Sequence, residues 1–547
     1  MPAPTSMLIA LPCGLSAGGV TTWALRLCGE LTRRGHACAL VLHRLRAGDS
    51  PINATIPAGV RVVDLTALPA MDAVAGDVST FVPHYARAVE SLRVSGPVAI
   101  SPNLMGDCYA IAAVLTQTMP DAVRTIGWCH LDSDYDRRVL AHYEPILHAW
   151  VGVSDWIVDS LRHSLPARAA DAHNIPYGVV VPEACPVRPP LGGRPLRLVY
   201  PGRVDENVKR ISALVHMVDA LTAAGVKHEL TIIGDGPASA AIDAAARTRP
   251  SMRRLPPVTP DAIARALGTH DLFVLPSRVE GLSVAMLEAM AHACVPVVTM
   301  VRSGAAQAIE NQRTGLLIDA GDDPTDDATP QKIGQAMAAA IGAIKPDQLS
   351  AMARAAWATA RERYSMQAHA DRVCALLERV ARTPPRAWPT TRACSFTSTS
   401  AGGSGTVPRD AASRLARLFG SLTGRRVLLH GTGRHTIELG EVIAAHADRI
   451  AGFADDDPSR AVATMWGWPI VSPDKAASLG ATDVIISSWL HQDAIWARRA
   501  VYERQGLRVH RVYAGADDAS AAPVQSGVPP AQANSPSARA ASAAVRA

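Results

Sequence analysis

Apolar positions in the first 180 residues fall into short runs separated by stretches of helical period: MLIAL at 7–11, ACALVLH at 37–43, RVVDL at 61–65, PVAIS at 97–101, VRTIGWCH at 123–130 and WVGVS at 150–154. TTWALRLCGELTRRG and CYAIAAVLTQ, lying between such runs, have the period of helices. Short strands alternating with helices predict βαβ units on a parallel sheet. Pro182 to Pro195 carries five prolines and interrupts the pattern as an interdomain linker does. A second α/β series follows. It has a strand LRLVY at 196–200, a helix with Val208, Ile211, Leu214, Val215, Val218 and Leu221 on one face, strands LTII, LFVLP and VPVVT, and one long closing helix over 349–380. From Thr383 the composition turns to Pro, Ser, Thr and Gly, so 383–410 reads as a flexible linker. A third, smaller α/β unit over 411–515 has strands RVLLHG, RIAGFAD, DVIISS and LRVHRVY, and the Ala-, Ser- and Pro-rich 516–547 reads as a disordered tail. The predicted fold class is α/β, with Rossmann-like doubly wound domains at 1–185 and 195–380 and a third small Rossmann-like domain at 411–515.

Length agrees with this division, since 547 residues exceed one core at roughly 100–200 residues per domain. A net charge of +5 with scattered arginines, and only 4% aromatic residues, gives neither the electrostatic footprint nor the stacking groove of a nucleic-acid binder. Contact with an anionic lipid surface is compatible with that balance. Nine widely spaced cysteines, with no C-x-x-C and no Cys/His cluster at zinc spacing, argue for a reducing cytoplasm and no structural metal. The first apolar run lacks a basic n-region ahead of it, and no stretch approaches the ~18 apolar residues of a membrane span.

The chemistry concentrates where predicted strands end. Glu280 and Glu288 stand eight residues apart across a Gly-Leu-Ser loop that opens a helix, with Ser283 placed as its N-cap. Such a turn offers acceptors for hydroxyls at both ends and backbone N–H donors for an anion between them. Gly18-Gly19 lies at the mouth of the first helix, where it makes either a tight βα turn or a phosphate approach. It is not a Walker A loop, because no Gly-Lys-Ser/Thr follows. Gly202-Arg203 follows the strand LRLVYP, and Lys209 falls in the first predicted turn of the next helix. Taken singly these cations are ordinary surface charges; together at a sheet edge they can hold a diphosphate. Gly234-Asp235-Gly236-Pro237 is sufficiently explained as a turn.

The order of these motifs along the chain, with Ser303-Gly304 and Thr314-Gly315-Leu316-Leu317 after them, resembles the retaining family 4 glycosyltransferases of the GT-B fold over residues 7–380. That resemblance implies two facing Rossmann-like domains and transfer of a sugar from a nucleotide donor, UDP- or GDP-linked, to a glycan or lipid-linked acceptor with retention of configuration. By the same resemblance Glu280 contacts the donor sugar, Glu288 the ribose, and Arg203 and Lys209 the diphosphate. The backbone of Gly281, Leu282 and Ser283 faces the diphosphate, with Gly19 near it, and His130 faces the transferred sugar. Taken alone, His130 is an ordinary strand-end histidine. The chain departs from the family pattern at Leu282 and Ser283, where an aromatic and a glycine are common, and at Tyr177-Gly178, where Asn-Gly is usual. Neither change removes a charge, so activity is expected and sugar specificity stays open. With no Asp-x-Asp in the donor half, no metal or other cofactor is expected to be required. A cytoplasmic enzyme of surface-glycan synthesis, working in solution or at the inner membrane face, is what the resemblance implies.

In the third unit, Gly431-Thr432-Gly433 begins a dinucleotide fingerprint whose last position is Thr436, and Asp455 ends the next strand at the spacing of a ribose-binding acid. An oxidoreductase, a nucleotide-sugar module and a docking domain all fit. For the whole chain, the competing readings are a nucleotide-sugar epimerase or a phosphorylase of the same fold, and a binding or docking protein with an inactive transferase core. A phosphorylase would need a pyridoxal-phosphate lysine, for which the sequence offers no context.

Overall fold

The computed structural model describes residues 5–46, 49, 51–52, 54–71, 77–93, 96–103, 105–319, 329–391, 394, 411–432, 435–436, 439–456, 464–488 and 492–513. The chain divides into two compact units, the first carrying two sheets and the second carrying one.

The first sheet is all parallel, in the order β3-β2-β1-β4-β5-β6-β7. Its strands are β1 Ser6–Leu11, β2 Ala37–Leu42, β3 Arg61–Asp64, β4 Val98–Ser101, β5 Val123–Cys129, β6 Leu147–Gly152 and β7 Ala172–Asn174. The second, also parallel, runs β10-β9-β8-β11-β12-β13. It contains β8 Leu196–Pro201, β9 His228–Ile233, β10 Met252–Leu255, β11 Leu272–Leu275, β12 Val295–Met300 and β13 Leu316–Asp319. In both, the order reverses beside the first strand, so crossover helices cover both faces. This explains why β11 reads as an unbroken apolar run and why β1, β6 and β11 are buried along their whole length. A crevice at the carboxyl ends of the strands is what such a switch in order leaves.

The expected single closing helix is two, Pro346–Arg363 and Met366–Ala381. Ser365 breaks it by capping the second, its hydroxyl accepting from Ala368 N, while Val179 pairs as a β-bridge with Ser365. The break turns the last helix back onto the first domain. There Trp23 Nε1 donates to His369 Nε2 at 3.0 Å, and His369 Nδ1 bonds Pro176 O at 2.7 Å. Burial lowers the His369 pKa to about 4, so the imidazole is neutral and both its nitrogens tie the two domains together.

Nor does the chain leave this unit at Thr383. Trp388 is 1% exposed and packs on Tyr143 at 5.2 Å between ring centroids; Arg124 Nε donates to Thr383 O, and Tyr143 Oη donates to Cys394 O. Burying one indole offsets the ordering of several loop residues, a term that linker composition conceals. Positions 392–393 and 395–410 of the expected linker, and the expected tail at 516–547, lie outside the described residues.

The second unit holds the third sheet, β16-β17-β15-β14-β18-β19, parallel apart from β16. Its strands are β14 Val427–His430, β15 Ile450–Ala454, β16 Thr464–Met465, β17 Trp468–Val471, β18 Asp483–Ile486 and β19 Arg508–Arg511.

Candidate active site

The loop after β11 is fixed from beneath. Ser277, 1% exposed, donates through Oγ to Glu280 Oε1 at 2.7 Å, and its carbonyl accepts from Thr299 Oγ1 on β12. Ser283 ends the loop as the expected N-cap, accepting from Met286 N, and the helix Val284–Ala291 is anchored by buried Met286, Leu287 and Met290. A small cavity behind the loop is lined by Ser277, Glu280, Ser283, Thr299 and Ser303 among others.

Lys209 reaches this loop, its Nζ 2.5 Å from Glu280 Oε1, with the side chains 23% and 15% exposed. It does not belong to a helix, as the apolar period suggested. The helix begins only at Ser212, where Glu206 accepts from both Ser212 N and Oγ, and Arg210 takes a left-handed φ of 47°. The turn so formed is strapped to the Glu280 loop, because Arg278 N donates to Val208 O at 2.8 Å. Arg203 is 58% exposed, with its nearest carboxylate, Asp205, at 3.9 Å. Gly234 and Gly236 serve the same edge: a Cβ on Gly234 would lie 1.9 Å from Gly202 O, and one on Gly236 2.3 Å from Val204 O. The Gly-Asp-Gly-Pro turn is therefore what lets the Gly202-Arg203 backbone pass so close.

From the first domain, His130 directly follows β5 with both ring nitrogens engaged, Nδ1 on Tyr177 Oη at 2.7 Å and Nε2 on Asn103 Oδ1 at 3.3 Å. Because Asn103 Nδ2 donates to Ala10 O and Ser101 Oγ donates to Oδ1, that oxygen only accepts. Nε2 therefore carries the proton and Nδ1 accepts from the tyrosine. Burial lowers the His130 pKa to about 3, so it sits as a neutral imidazole packed edge-on against Trp23. Asn103 holds its place with a φ of 49° and no exposure. Tyr177, noticed in the sequence only as a departure, is the partner that sets the tautomer.

The two domains meet here. His130 O lies against Gly281 so closely that a Cβ on Gly281 would be 1.9 Å from it, and Gly304 N donates to Gly281 O at 2.7 Å. Gly19 opens the helix Gly19–Arg33 with no side-chain cap and no acid in its first turn; a Cβ there would stand 3.2 Å from Val284 Cγ2. An uncapped helix N-terminus thus faces the start of the Glu288 helix. Glu288 itself is paired across the cleft with Arg26, Nη2 to Oε1 2.5 Å, the side chains 20% and 16% exposed. Sequence reasoning passed over Arg26. Its signal was register, since positions 19, 22 and 26 share a helix face.

The third unit gathers some of its expected residues. Gly431 has a φ of 115°, and a Cβ there would meet Ser487 O at 2.6 Å. Thr432 donates to Asp455 Oδ2 from N at 3.1 Å and also from Oγ1. Thr436 Oγ1 sits 2.7 Å from Gly431 O, so the fingerprint's missing last glycine is replaced by a hydrogen-bonding side chain. Gly433 lies outside the described residues. Among the described residues, no group of three His, Cys, Asp or Glu stands together as a metal site.

Residues 195–341 match the glycosyl transferases group 1 family. Solved structures share the architecture of the first unit. A glycosyltransferase from Rickettsia africae is 13% identical over 70% of this chain and 100% of its own, with a TM-score of 0.51. Sucrose-phosphate synthase from Thermosynechococcus elongatus is 14% identical over 69% of this chain and 99% of its own, at 0.54. HepE from Anabaena, in complex with UDP, is 13% identical over 69% and 100%, at 0.52. At such identities the likeness establishes the fold. No curated protein matches in a sequence search. The first unit therefore has the GT-B fold, and within it residues 195–341 match the model of the glycosyl transferases group 1 family.

Proposed function

We propose that this chain moves a sugar from a nucleotide-sugar donor to an acceptor hydroxyl with retention of anomeric configuration. The observation that carries the reading is the convergence on one cleft of two cations, two carboxylates and an uncapped helix N-terminus. Lys209 is paired to Glu280, Arg203 is exposed just after β8 on the same sheet edge, Glu288 lies one turn into the helix that follows the Glu280 loop, and Gly19 stands against that helix. In this arrangement the diphosphate lies over Gly281 to Ser283, between Arg203 and Lys209. Glu288 takes the ribose hydroxyls in place of Arg26, and Glu280 takes hydroxyls of the sugar.

When the bond from the sugar C1 to the diphosphate breaks, the electron pair leaves with the phosphate oxygens, and the cations and backbone N–H groups stabilise that charge. The acceptor oxygen bonds to C1 on the same face, and its hydroxyl proton passes to the departing phosphate oxygen. We assign no covalent nucleophile, because both glutamates are engaged in binding. His130, neutral and doubly bonded, positions and does not titrate near neutral pH. Its carbonyl on Gly281 helps exclude water from the closed cleft.

The complexes of HepE with UDP and with UDP-glucose support a UDP-linked donor for this fold. The acceptor we assign is a glycan or a lipid-linked glycan. Among the described residues no helix is long and apolar enough to cross a membrane. We read the third domain, 411–515, as a nucleotide-sugar or docking module: Asp455 Oδ2 is engaged by Thr432 of the turn after β14, which disfavours the dinucleotide reading.

The test is a screen for slow donor hydrolysis, in which the full-length protein is incubated with UDP-, GDP-, ADP- and dTDP-sugars. Release of free sugar from a UDP-sugar above the rest is expected. Turnover of none of them, or epimerisation with no sugar released, would remove the transferase reading.

A further inference from the structure

Trp156 is the one exposed aromatic side chain among the described residues, at 39%. An exposed indole is ordinarily free to turn, but this one is fastened. Its Nε1 donates to Asp132 Oδ2 at 2.9 Å, and Asp132 in turn accepts from Ser160 Oγ at 2.8 Å and pairs with Arg137. The ring is therefore presented to solvent in a set orientation, which removes the cost of ordering that side chain when a ligand binds.

Its position is also specific. Asp132 lies two residues after His130, and Ser154, two before Trp156, has its Cβ 3.0 Å from where a Cβ on Gly304 would lie. Gly304 N is bonded to Gly281 O. The neighbouring Ile157 has its Cδ1 3.3 Å from where a Cβ on Gly281 would lie, so the indole stands at the rim of the cleft beside the Gly281 loop. Arg302, from the donor domain, lies over it with Cζ 5.2 Å from the ring centroid. An exposed cation–π contact is weak, so an incoming group can take its place. The feature of the ring that attracts Arg302, its electron-rich face, equally attracts the partly positive C–H face of a pyranose.

We propose that Trp156 is an acceptor-sugar platform: the acceptor presents a pyranose ring that stacks on the indole where Arg302 now lies, with its nucleophilic hydroxyl directed to the Glu280 end of the donor. The inference rests on the transferase reading and deepens it. It makes the acceptor a sugar unit, and not a simple lipid alcohol or a protein hydroxyl.

The experiment measures capture of full-length protein, with UDP present, on an array of pyranose-containing oligosaccharides, alongside calorimetric UDP binding of the same samples. Wild type is expected to hold a defined subset of the sugars. Trp156→Ala should lose that capture by at least about tenfold, as deletion of a stacking ring does, while Trp156→Phe keeps most of it. All three proteins should bind UDP alike, which reports an intact donor half; absence of UDP binding from wild type would count against the transferase reading separately. Capture of no sugar by wild type, or equal capture by Trp156→Ala, would overturn the platform.

Discussion

Lys209→Ala is expected to lower kcat/KM for sugar transfer by at least about 100-fold while leaving the thermal midpoint within a few degrees of wild type. Loss of one preorganised electrostatic donor costs about that factor where charge develops on a leaving group. The fold should survive for two reasons. Glu280 is 15% exposed and keeps the Ser277 hydroxyl at 2.7 Å, so no carboxylate is left buried without a partner. The turn that carries Lys209 is held by the Arg278 N to Val208 O bond and by the Glu206 cap on Ser212, neither of which involves the lysine side chain. Most of the loss should fall on kcat, because the charge being stabilised grows toward the transition state. Steady-state kinetics beside a melting curve decides the matter, and near wild-type turnover would remove Lys209 from the chemistry.

Gly281→Ala should be comparably damaging through geometry alone. Its Cβ would lie 1.9 Å from His130 O and 2.9 Å from His130 C, both backbone atoms on the opposite domain. No rotamer change relieves a backbone contact, so the two domains must part by about an ångström at the point where the donor loop meets His130. Misplacement on that scale costs about 100-fold in rate, and overpacking a fitted contact costs about 1–3 kcal/mol of stability. The expected result is a kcat reduced by about two orders of magnitude with a modest fall in the thermal midpoint. Fluorescence or scattering should show the cleft held wider in the presence of UDP. A variant as active and as closed as wild type would mean that the His130–Gly281 contact is incidental to catalysis.

What the sequence disclosed about this site follows from where its information sits. Arg203, Glu280 and the Gly-Asp-Gly-Pro turn each lie in the loop that follows a strand, and strand ends are legible from apolar runs, so their order along the chain was enough to place them on one sheet edge. The same runs misled beyond their reach: the apolar period starting at Val208 included residues that form a turn, because the Glu206 cap and the left-handed Arg210 are choices that periodicity does not record. Contacts between domains were hidden altogether. Arg26 shares a helix face with Gly19, yet nothing in its neighbourhood names Glu288, 262 residues away, as its partner. Tyr177 as the partner of His130 and Trp388 as a buried anchor within a proline-rich stretch were concealed likewise, since both depend on which surfaces come together.

The Arg26–Glu288 pair adds a consequence for binding. Glu288 is already occupied across the cleft, so under the proposed donor placement ribose hydroxyls would have to displace the guanidinium, and part of the nucleotide's affinity would offset the loss of that ion pair. Nucleotide binding should accordingly draw mainly on the diphosphate, whose cations are the exposed Arg203 and the half-buried Lys209.

The most direct measurement is calorimetric titration of the full-length protein with UDP, repeated for Arg203→Ala and Lys209→Ala. Saturable one-to-one binding by wild type, weakened about tenfold or more by either substitution, as expected when a charge-assisted hydrogen bond to phosphate is lost, is the predicted result. No binding by wild type, or binding that both variants retain unchanged, would contradict the assignment of this cleft to a nucleotide diphosphate.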